Sequence, residues 1–404
     1  MTSCWRFTTR ANCREVRSSV VKIVHVYKDF WPPIVGGIER TLNWRVSGLR
    51  GEFDFTVLVN SRTGQTRERV WEGVRIVEVG EWGRVLSAPI APAFPLWLRR
   101  LKADVWHFHI PNPTGDVSWL LARPEGRVVA TYHSDVIRQR WAMAAYGPFL
   151  HSFLSRCDVV MPTSPRQAAQ SPLLQRHAAR CTPVPLGMPL APFARTAASG
   201  GRVREIKRAL KGFPLLVFVG KLRYYKGIQF LISAMRELPH VRLAIIGEGP
   251  EGEKLRALSA ELGLADRIQF LGELPDAEVV AWMQAAELFV LPSHLPSEAF
   301  GLVQVEAMAC GTPVISCDLP GGVPFVNQDG VTGRIVPPAD DAALASAVGE
   351  LLENPSRRFA MGEAAYRRAH SEFSQEVMCG RVAEVYRRLN KSRSSFAELG
   401  CLTS

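Results

Sequence analysis

The chain has 404 residues with a net charge of +11, and 47% of its residues are hydrophobic. Its length exceeds what one hydrophobic core commonly serves, so we predict a globular protein of two domains. It contains no run of about eighteen uncharged apolar residues, which excludes a membrane-spanning helix. The eight cysteines are scattered without a C-x-x-C pair, which excludes a disulfide scaffold and favours reduced thiols in the cytoplasm.

The first regular structure is predicted after a polar start. Residues 1–19 carry arginines but no apolar block, so we expect a disordered extension rather than a secretory signal. Val20 to Val26 is a nearly continuous apolar run, typical of a buried parallel strand. Gly36 and Gly37 follow it and precede a helix predicted from Glu39 to Leu49. This order of strand, glycine turn and helix is typical of the first unit of a doubly wound sheet.

Polar side chains follow two of the further strands predicted in the first half of the chain. We predict these strands at Phe55 to Val59, Arg75 to Val79, Asp104 to Ile110 and Val128 to Tyr132. The carboxyl ends of parallel strands are where α/β proteins bind their ligands. The candidates at two of these ends are His109, Asn112, His133, Asp135 and Arg138.

Two histidines of one predicted strand raise the question of a metal site. His107 and His109 lie two residues apart and therefore share a face of the strand. Such a pair could bind a metal ion, but the sequence shows no evident third ligand. We therefore predict no metal site here and interpret one of the two as a hydrogen-bonded core histidine.

The positive charge of the chain is concentrated in its first half. The first 200 residues carry 26 basic and 14 acidic side chains, whereas the remainder carries 23 and 24. Within this half, the segment from Arg84 to Lys102 places apolar residues such as Trp97 beside Arg99 and Arg100. Two interpretations remain open: a segment that lies on an anionic membrane surface, or a helix with one face in the core and a solvated basic face.

The second half begins with a basic loop at the end of a strand. A linker rich in Ala, Gly, Ser and Thr is predicted from Leu190 to Arg202, and a buried strand from Leu215 to Val219. The loop GKLRYYKG follows this strand and precedes a predicted helix. Its cations Lys221, Arg223 and Lys226 would neutralise a bound diphosphate.

The stretch from Pro292 to Val314, PSHLPSEAFGLVQVEAMACGTPV, follows another predicted strand. A turn leads into a helix predicted from about Phe300, with Gly311 at its end. The unpaired N–H groups near Phe300, Gly301 and Leu302 would favour an anion. This helix is therefore a candidate phosphate site.

Two carboxylates flank this candidate phosphate site. Glu298 precedes the helix and Glu306 lies two turns into it, so they are too far apart along the axis to act as one catalytic pair. Separated carboxylates on either side of an anion site suit a ligand with hydroxyls on both sides of a diphosphate. A sugar nucleotide has this composition.

The segment SEAFGLVQVEAMACGTPVI resembles the Glu-x7-Glu motif of retaining glycosyltransferases of the GT-B fold, glycosyltransferase family 4. The resemblance extends over most of the chain from about Val20. It implies an α/β fold of two Rossmann-like doubly wound domains that face a cleft, with a C-terminal helix that crosses back to the first domain. The corresponding boundaries are 20–198 for the acceptor domain, 199–370 for the nucleotide-sugar domain, 371–390 for the returning helix and 391–404 for a tail.

The resemblance also implies roles for residues of the second domain. In the family, Glu298 contacts the donor sugar and Glu306 binds the ribose hydroxyls. The basic loop resembles Gly-Arg-Leu-(x)3-Lys-Gly, in which the arginine and the lysine, here Lys226, grip the donor pyrophosphate. This chain has Lys221 in place of the arginine, which keeps the charge but loses the bidentate fork, so Arg223 can take a shifted role. The backbone of residues Phe300, Gly301, Leu302 and Val303 is implied to contact the donor.

For the first domain, the family places the diglycine Gly36 and Gly37 by the donor phosphates and the acceptor. The segment TYHSDVIRQ resembles the one whose histidine, here His133, touches the donor sugar and the reacting centre. Together with Glu298 and Lys226, His133 completes the expected catalytic set. The expected acceptor side consists of His109, Asn112, Asp135 and Arg138.

The segments HIPNP, YHSDVIRQ, LRYYKG and SEAFGLVQVEAMA together resemble bacterial mannosyltransferases of surface polysaccharide synthesis. This implies transfer of a hexose, with mannose favoured, from GDP-mannose or a UDP-hexose to a glycan or lipid-linked glycan. It also implies a cytoplasmic enzyme without metal or cofactor, which can contact the anionic inner face of the cytoplasmic membrane.

Three alternatives stay open at this point. A GT-B-fold nucleotide-sugar epimerase would keep the donor site without needing an acceptor. A catalytically inactive glycan-binding relative would keep the fold, and Lys221 is the departure that leaves room for it. A nucleic-acid-binding protein would explain the charge, but the basic residues are not interleaved with aromatic residues in a recognisable motif, so we predict no nucleic-acid partner.

Overall fold

The computed structural model describes residues 20–32, 34, 36–135 and 140–400, except for the side chains at 140–143, 198 and 392–400. The predicted extension at 1–19 and the candidate Arg138 lie outside the described residues. The described chain forms two mainly parallel sheets, with helices between successive strands, and one small hairpin. The predicted α/β class with two Rossmann-like units is confirmed.

The first half of the chain builds a seven-stranded sheet. Its strands, with those of the hairpin, are β1 (Lys22–Val26), β2 (Asp54–Ser61), β3 (Arg67–Trp71), β4 (Val74–Gly80), β5 (Arg84–Val85), β6 (Ala88–Pro89), β7 (Val105–Ile110), β8 (Arg127–Tyr132) and β9 (Val159–Pro162). The order is β3-β4-β2-β1-β7-β8-β9, and β3 pairs antiparallel with β4 at one edge. Strand β7, VWHFHI, is buried at every position because a parallel strand is covered on both faces. The charged sequence RERVW of β3 shows no such run, so sequence analysis missed it.

The second half builds a six-stranded parallel sheet. Its strands are β10 (Leu215–Val219), β11 (Arg242–Ile246), β12 (Ile268–Gly272), β13 (Leu288–Leu291), β14 (Val314–Cys317) and β15 (Gly333–Val336). The order is β12-β11-β10-β13-β14-β15. The chain reverses direction across the sheet between β10 and β13, and this switch point is where open α/β sheets bind ligands.

The helices connect these strands in the alternating pattern that parallel sheets require. They are α1 (Gly37–Leu49), α2 (Phe94–Arg100), α3 (Pro113–Ala122), α4 (Arg140–Leu154), α5 (Pro165–Gln170), α6 (Pro172–Gln175), α7 (Ala197–Ala209), α8 (Ile228–Ala234), α9 (Gly252–Glu261), α10 (Asp276–Ala285), α11 (Leu302–Ala309), α12 (Val323–Val326), α13 (Asp341–Glu353), α14 (Pro355–Glu372) and α15 (Gln375–Gly400). Within the described residues, no helix combines the length and the apolar character that crossing a membrane requires.

The segment from Arg84 to Lys102 forms a hairpin followed by α2. The two-residue turn of the hairpin consists of Leu86 and Ser87, both with positive φ angles of 51° and 72°. Helix α2 buries Phe94 and Leu98 in the core and leaves the basic side chains at its end exposed. The helix therefore has the arrangement that the core-facing interpretation predicted.

The predicted linker from Leu190 to Arg202 is wrong in its second half, because α7 already begins at Ala197. The Thr196 hydroxyl accepts a hydrogen bond from the backbone N–H of Ser199 at 3.1 Å, and the Ser199 hydroxyl accepts one from the backbone N–H of Thr196 at 3.0 Å. This reciprocal capping stabilises the first turn and accommodates glycines that otherwise disfavour a helix. The small-residue composition had concealed this cap.

Helix α15 returns to the first sheet and packs against α1. The Gln375 side chain donates a hydrogen bond to the carbonyl of Trp44 at 2.7 Å. Met378, Val382 and Tyr386 are fully buried in the core of the first half, together with residues of β1 and β2. The last helix thus completes the core of the unit formed by the start of the chain.

Candidate active site

Two loops of the second sheet meet at a buried ion pair. The Nζ of Lys226 lies 2.5 Å from Oε2 of Glu298, and the Ser293 hydroxyl donates to the same oxygen at 3.0 Å. Only 8% of Lys226 and 9% of Glu298 is exposed. Burial acts to lower the pKa of Lys226, but the charge and hydrogen bond of Glu298, together with the charges of Tyr225 and Glu306, raise the pKa above its ordinary value. Lys226 is therefore a cation throughout the physiological range.

A glycine permits the close contact of these two loops. Gly227 has a φ of +69°, and a Cβ there would lie 2.0 Å from the carbonyl oxygen of Pro292. The backbone N–H of His294 also donates to the carbonyl of Tyr225 at 3.0 Å. The loop GKLRYYKG is thereby held against the loop after β13. The other two basic candidates of this loop, Lys221 and Arg223, are exposed.

Helix α11 begins beside the ion pair, at Leu302 rather than at Phe300 as predicted. Gly301 precedes it in the left-handed conformation, with a φ of +71°, and no side chain of the described residues caps the helix there. A Cβ on Gly301 would lie 2.6 Å from the Gln304 amide nitrogen and 3.0 Å from Leu291. The N–H groups of Leu302 and Val303, at the uncapped start of this helix, are therefore available to an anion.

The second carboxylate of the motif, Glu306, lies on α11 and is partly buried. Burial raises its pKa to about 7, although the charges of Arg40 and Lys226 act to lower it and that of Asp276 raises it further. Glu306 lines a cleft of about 380 Å³ together with Arg40 and Asp276. The remaining walls are mainly apolar and aromatic: Trp31, Trp44, Met188, Pro189, Pro192, Phe193, Ala277, Val279 and Val280.

The first sheet closes this cleft from the other side. A Cβ on Gly37 would lie 3.9 Å from the Leu302 side chain, so the diglycine, with Gly36, faces the start of α11. Arg166 of the first half also forms an ion pair with Asp318 of the second half at 2.7 Å. The structure therefore brings the diglycine and the second-domain candidates together.

His133 follows β8 and is 4% exposed. Its Nε2 lies 3.0 Å from Nδ1 of His109, and its carbonyl accepts a hydrogen bond from Gln167 at 3.1 Å. Burial lowers the pKa of His133 well below its ordinary value, and the charge of Arg45 lowers it further. His133 is therefore a neutral imidazole at physiological pH.

The expected acceptor-side residues divide into buried and exposed ones. His109 and Asn112 are fully buried, and Asn112 caps α3 by accepting from the backbone N–H of Gly115 at 3.3 Å. Asp135 is exposed and accepts hydrogen bonds from Tyr132 at 2.7 Å and Ser171 at 2.8 Å. Asp135 lines a small cavity of about 50 Å³ that second-domain residues also line.

His25 supplies a third imidazole beside the two of β7, and the sequence alone did not reveal it. The nearest ligand atoms of His25, His107 and His109 lie within 4.8 Å of one another. His25 Nδ1 lies 2.9 Å from His109 Nε2, so these two nitrogens already share a proton. A single histidine near the end of a strand gives no signal of this kind, because only the parallel pairing of β1 with β7 puts His25 beside His107.

Two Rossmann-like units face a cleft that contains a buried lysine and the uncapped start of a helix. This is the arrangement of a glycosyltransferase of the GT-B fold. The family model "Glycosyl transferases group 1" matches residues 202–368, and the model "Glycosyl transferase 4-like domain" matches residues 36–187. The chain belongs to this glycosyltransferase family.

Two of its relatives are named for the transfer of mannose and of rhamnose. The chain is 31% identical to O-antigen chain mannosyltransferase C of Escherichia coli, over 93% of this chain and all of the relative. It is also 31% identical to D-rhamnosyltransferase WbpZ of Pseudomonas aeruginosa, over 86% of this chain and 91% of the relative. Among solved structures, Anabaena HepE in complex with UDP superposes with a TM-score of 0.74 at 20% identity, covering 91% of this chain and all of that one.

Proposed function

We propose that the protein is a retaining glycosyltransferase that moves mannose from a nucleotide-diphosphate sugar to a glycan or lipid-linked glycan acceptor. The observation that carries the proposal is the buried Lys226–Glu298 pair beside the uncapped start of α11. The relatives named for mannose and rhamnose transfer support a hexose donor and a surface-glycan acceptor. GDP-mannose is the favoured donor, with a UDP-hexose as the alternative.

The diphosphate of the donor would lie between Lys226 and the N–H groups of Leu302 and Val303. These groups are fixed before substrate arrives, so they stabilise a leaving diphosphate without reorganising. Lys221 and Arg223 are exposed nearby on the same loop and add positive charge. Electrostatic stabilisation of the leaving group is the main task of such a site, because the diphosphate gains negative charge as its bond to the sugar breaks.

The nucleoside would occupy the cleft beside Glu306. A carboxylate can accept hydrogen bonds from both ribose hydroxyls. The aromatic and apolar walls contributed by Trp31, Trp44 and Val280 suit a nucleobase. Asp276 is the acidic group in this cleft that could accept from the two N–H donors on the edge of guanine, which supports GDP over UDP.

The donor sugar would then extend from the diphosphate towards Glu298 and His133. Glu298 has one oxygen on Lys226 and Ser293, so its other oxygen is available to a sugar hydroxyl. The sequence contains no Asp-x-Asp motif, which supports metal-independent transfer. We propose a front-face substitution in which a leaving phosphate oxygen takes the proton of the acceptor hydroxyl, and His133 positions the sugar.

Nucleotide release from a panel of GDP- and UDP-sugars tests this function. We expect release from one donor, increased by membrane lipid extract, insensitive to EDTA and lost in Glu298→Ala. Restoration by magnesium or manganese after EDTA would contradict metal independence. An altered sugar nucleotide without transfer would instead identify an epimerase, and the anomeric configuration of a transferred sugar, read by NMR, would decide between retention and inversion.

The donor KM is expected to depend on pH through Glu306. The carboxylate form binds the ribose, and its pKa is raised to about 7, so donor affinity should fall as the pH falls through 7. Ionisation of one such group predicts a change of roughly tenfold in donor kcat/KM between about pH 8 and about pH 6. The charges facing Glu306 are those of Arg40, Asp276 and Lys226.

Steady-state kinetics from pH 5.5 to about 8.5 would measure this dependence. In Glu306→Gln the side chain cannot ionise, so the KM should be higher and nearly constant across the range. An unchanged pH profile in Glu306→Gln would show that another group titrates, and that Glu306 does not bind the ribose as a carboxylate.

We also propose that the hairpin and α2 contact the anionic membrane that carries a lipid-linked acceptor. Five of the thirteen large exposed apolar side chains of the described residues lie in this segment or just before it: Trp82, Val85, Leu86, Ile90 and Leu96. The exposed cations Arg99, Arg100 and Lys102 follow directly. Apolar side chains beside cations suit the interface of an anionic bilayer.

The double variant Trp82→Ser/Leu86→Ser should reduce binding to phosphatidylglycerol vesicles by roughly tenfold, because both apolar side chains lose their insertion energy. Co-sedimentation measures the bound fraction, and added salt should weaken the binding further. Phe359→Ser is the matched control, since Phe359 is 72% exposed on α14, away from this segment. Equal loss in the control, or no loss in the double variant, would contradict the assignment.

A further inference from the structure

Seven polar groups form a continuous chain of hydrogen bonds through the core of the first domain. Each is fully buried except the last, which is 4% exposed. In order, the chain consists of Arg45, Thr131, His107, Tyr386, His25, His109 and His133. It connects α1 and α15 with the carboxyl ends of β7 and β8, where the proposed donor sugar lies.

The first part of the chain runs from α1 to α15. Nη1 of Arg45 donates to the hydroxyl of Thr131 at 2.7 Å. That hydroxyl lies 2.7 Å from Nε2 of His107. Nδ1 of His107 lies 2.5 Å from the hydroxyl of Tyr386. Each contact has room for one proton between its two heavy atoms.

The second part returns to the sheet and reaches the cleft. The Tyr386 hydroxyl lies 3.4 Å from Nε2 of His25, which is the longest contact of the chain. Nδ1 of His25 lies 2.9 Å from Nε2 of His109, and Nδ1 of His109 lies 3.0 Å from Nε2 of His133. Among the described residues, no hydrogen bond involves the remaining nitrogen, Nδ1 of His133.

The donor at Arg45 favours one direction for all these hydrogen bonds. A guanidinium has donors and no acceptor, so Thr131 must accept from it and can donate its own proton to His107. The four imidazoles are neutral, because burial lowers the pKa of each, that of His25 to about 3. A neutral imidazole has one donor and one acceptor nitrogen, so a proton accepted at Nε2 of His107 forces its Nδ1 to donate. The Tyr386 hydroxyl then accepts from His107 and donates to His25, and the imidazole rule applies again at His25, His109 and His133.

We propose that Arg45 is a positioning residue that fixes the tautomer of His133, through this chain, with the proton on Nδ1. His133 then offers an N–H donor to substrate and cannot accept a proton there. The identity of the substrate group rests on the proposed function: it is an oxygen of the donor sugar. His133 accordingly orients the sugar and is not a general base, while Thr131, His107, Tyr386, His25 and His109 transmit the polarity of Arg45.

The chain also accounts for an unusual buried charge. Arg45 is fully buried and its partners in the structure are the Thr131 hydroxyl and the sulfur of Met378, at 3.5 Å from Nε. Its Nη2 has no hydrogen-bond partner among the described residues. Burying an arginine without a carboxylate partner costs free energy. The hydrogen-bonded chain that this charge polarises stabilises the buried guanidinium in part.

Selective ¹⁵N labelling of the nine histidines allows a direct test in the protein without substrate. Two-bond ¹H–¹⁵N correlation spectra distinguish a protonated ring nitrogen from an unprotonated one, and a His133→Gln variant assigns the resonance. We expect the wild-type His133 to show a protonated Nδ1 and an unprotonated Nε2. The reverse, a mixture of tautomers or a charged ring would overturn the proposal.

In variants that interrupt the chain, the tautomer of His133 should no longer be fixed. Tyr386→Phe keeps the ring and removes the hydroxyl, so His133 should populate both tautomers. Thr131→Val should do the same, whereas Thr131→Ser keeps a hydroxyl and should restore the wild-type spectrum. If Thr131→Val does not fold, Tyr386→Phe decides, and an unchanged His133 spectrum in it would overturn the proposal.

Kinetics with the donor identified for the wild type complete the test. We expect kcat in Tyr386→Phe to fall roughly tenfold, while the donor KM stays within about twofold of the wild-type value. The residues of the second domain that bind the nucleotide are unchanged in this variant. A proportional rise in KM alone would indicate a merely structural effect. Stoichiometric zinc retained by the purified protein and lost in His25→Gln would identify a metal site instead and overturn the proposal. Absence of transfer in the wild type would refute the proposed function and leave the tautomer result intact.

Discussion

Replacing Lys226 by methionine is expected to lower donor kcat/KM by about 10³-fold, the effect of removing a fixed charge that stabilises a leaving group. Methionine keeps much of the volume of the lysine stem but cannot neutralise a diphosphate. Most of the loss should appear in kcat, because the charge on the leaving diphosphate increases as the glycosidic bond breaks. Nucleotide release under single-turnover conditions would measure the chemical step directly.

The ion pair with Glu298 requires a second variant. Lys226→Met leaves the Glu298 carboxylate buried with only the Ser293 hydroxyl, which should destabilise the protein by about 3–5 kcal/mol. The double variant Lys226→Met/Glu298→Gln removes the unpaired charge and should recover most of the free energy of unfolding. It should remain inactive, so stability and activity separate. An active double variant would show that neither side chain takes part in transfer.

Replacing Gly301 by alanine is expected to reduce donor kcat/KM by roughly 10²-fold. Its left-handed φ of +71° costs an alanine about 1–2 kcal/mol. In addition, the new Cβ would lie 2.6 Å from the Gln304 side chain and 3.0 Å from Leu291, so the backbone before α11 must shift. A shift of about 1 Å would misplace the N–H groups that face the diphosphate, and such a change can cost about 10²-fold in rate.

The other end of α11 provides the matched control. Gly311 has a φ of +76°, and a Cβ there would meet nothing within 4 Å. Gly311→Ala should therefore lose about 1–2 kcal/mol of stability to backbone strain while kcat/KM stays unchanged. Chemical unfolding and donor kinetics on both variants measure the two effects. Equal activity losses in both would attribute the effect to stability rather than to the geometry of the helix start.

The sheets were predictable because parallel strands are covered on both faces and read as apolar runs. Val105–Ile110 and Leu215–Val219 were recognised in this way. The edge strand β3 was not, because one partner strand and a solvated face leave its sequence charged. The helix α7 was concealed by small residues, although the reciprocal cap of Thr196 and Ser199 was a readable signal.

The candidate site was predictable only as separate pieces. The motif around Glu298 and Glu306 and the basic loop could each be recognised from local sequence. Their junction could not, since Lys226 and Glu298 are 72 residues apart and meet through the contact of Gly227 with Pro292. The raised pKa of Glu306 depends mainly on burial within the interdomain cleft, which local sequence does not encode.

By itself, the sequence determined the α/β class, the glycosyltransferase family and the cations and carboxylates that a nucleotide-sugar site needs, because strand periodicity, glycine turns and motif spacing are local properties. Only the tertiary structure decided which of these groups are paired, which are neutral and which nitrogen of His133 is available. Those properties depend on burial and on partners from distant elements: Arg45 from α1, His25 from β1 and Tyr386 from α15 meet only when the sheet and the returning helix have packed.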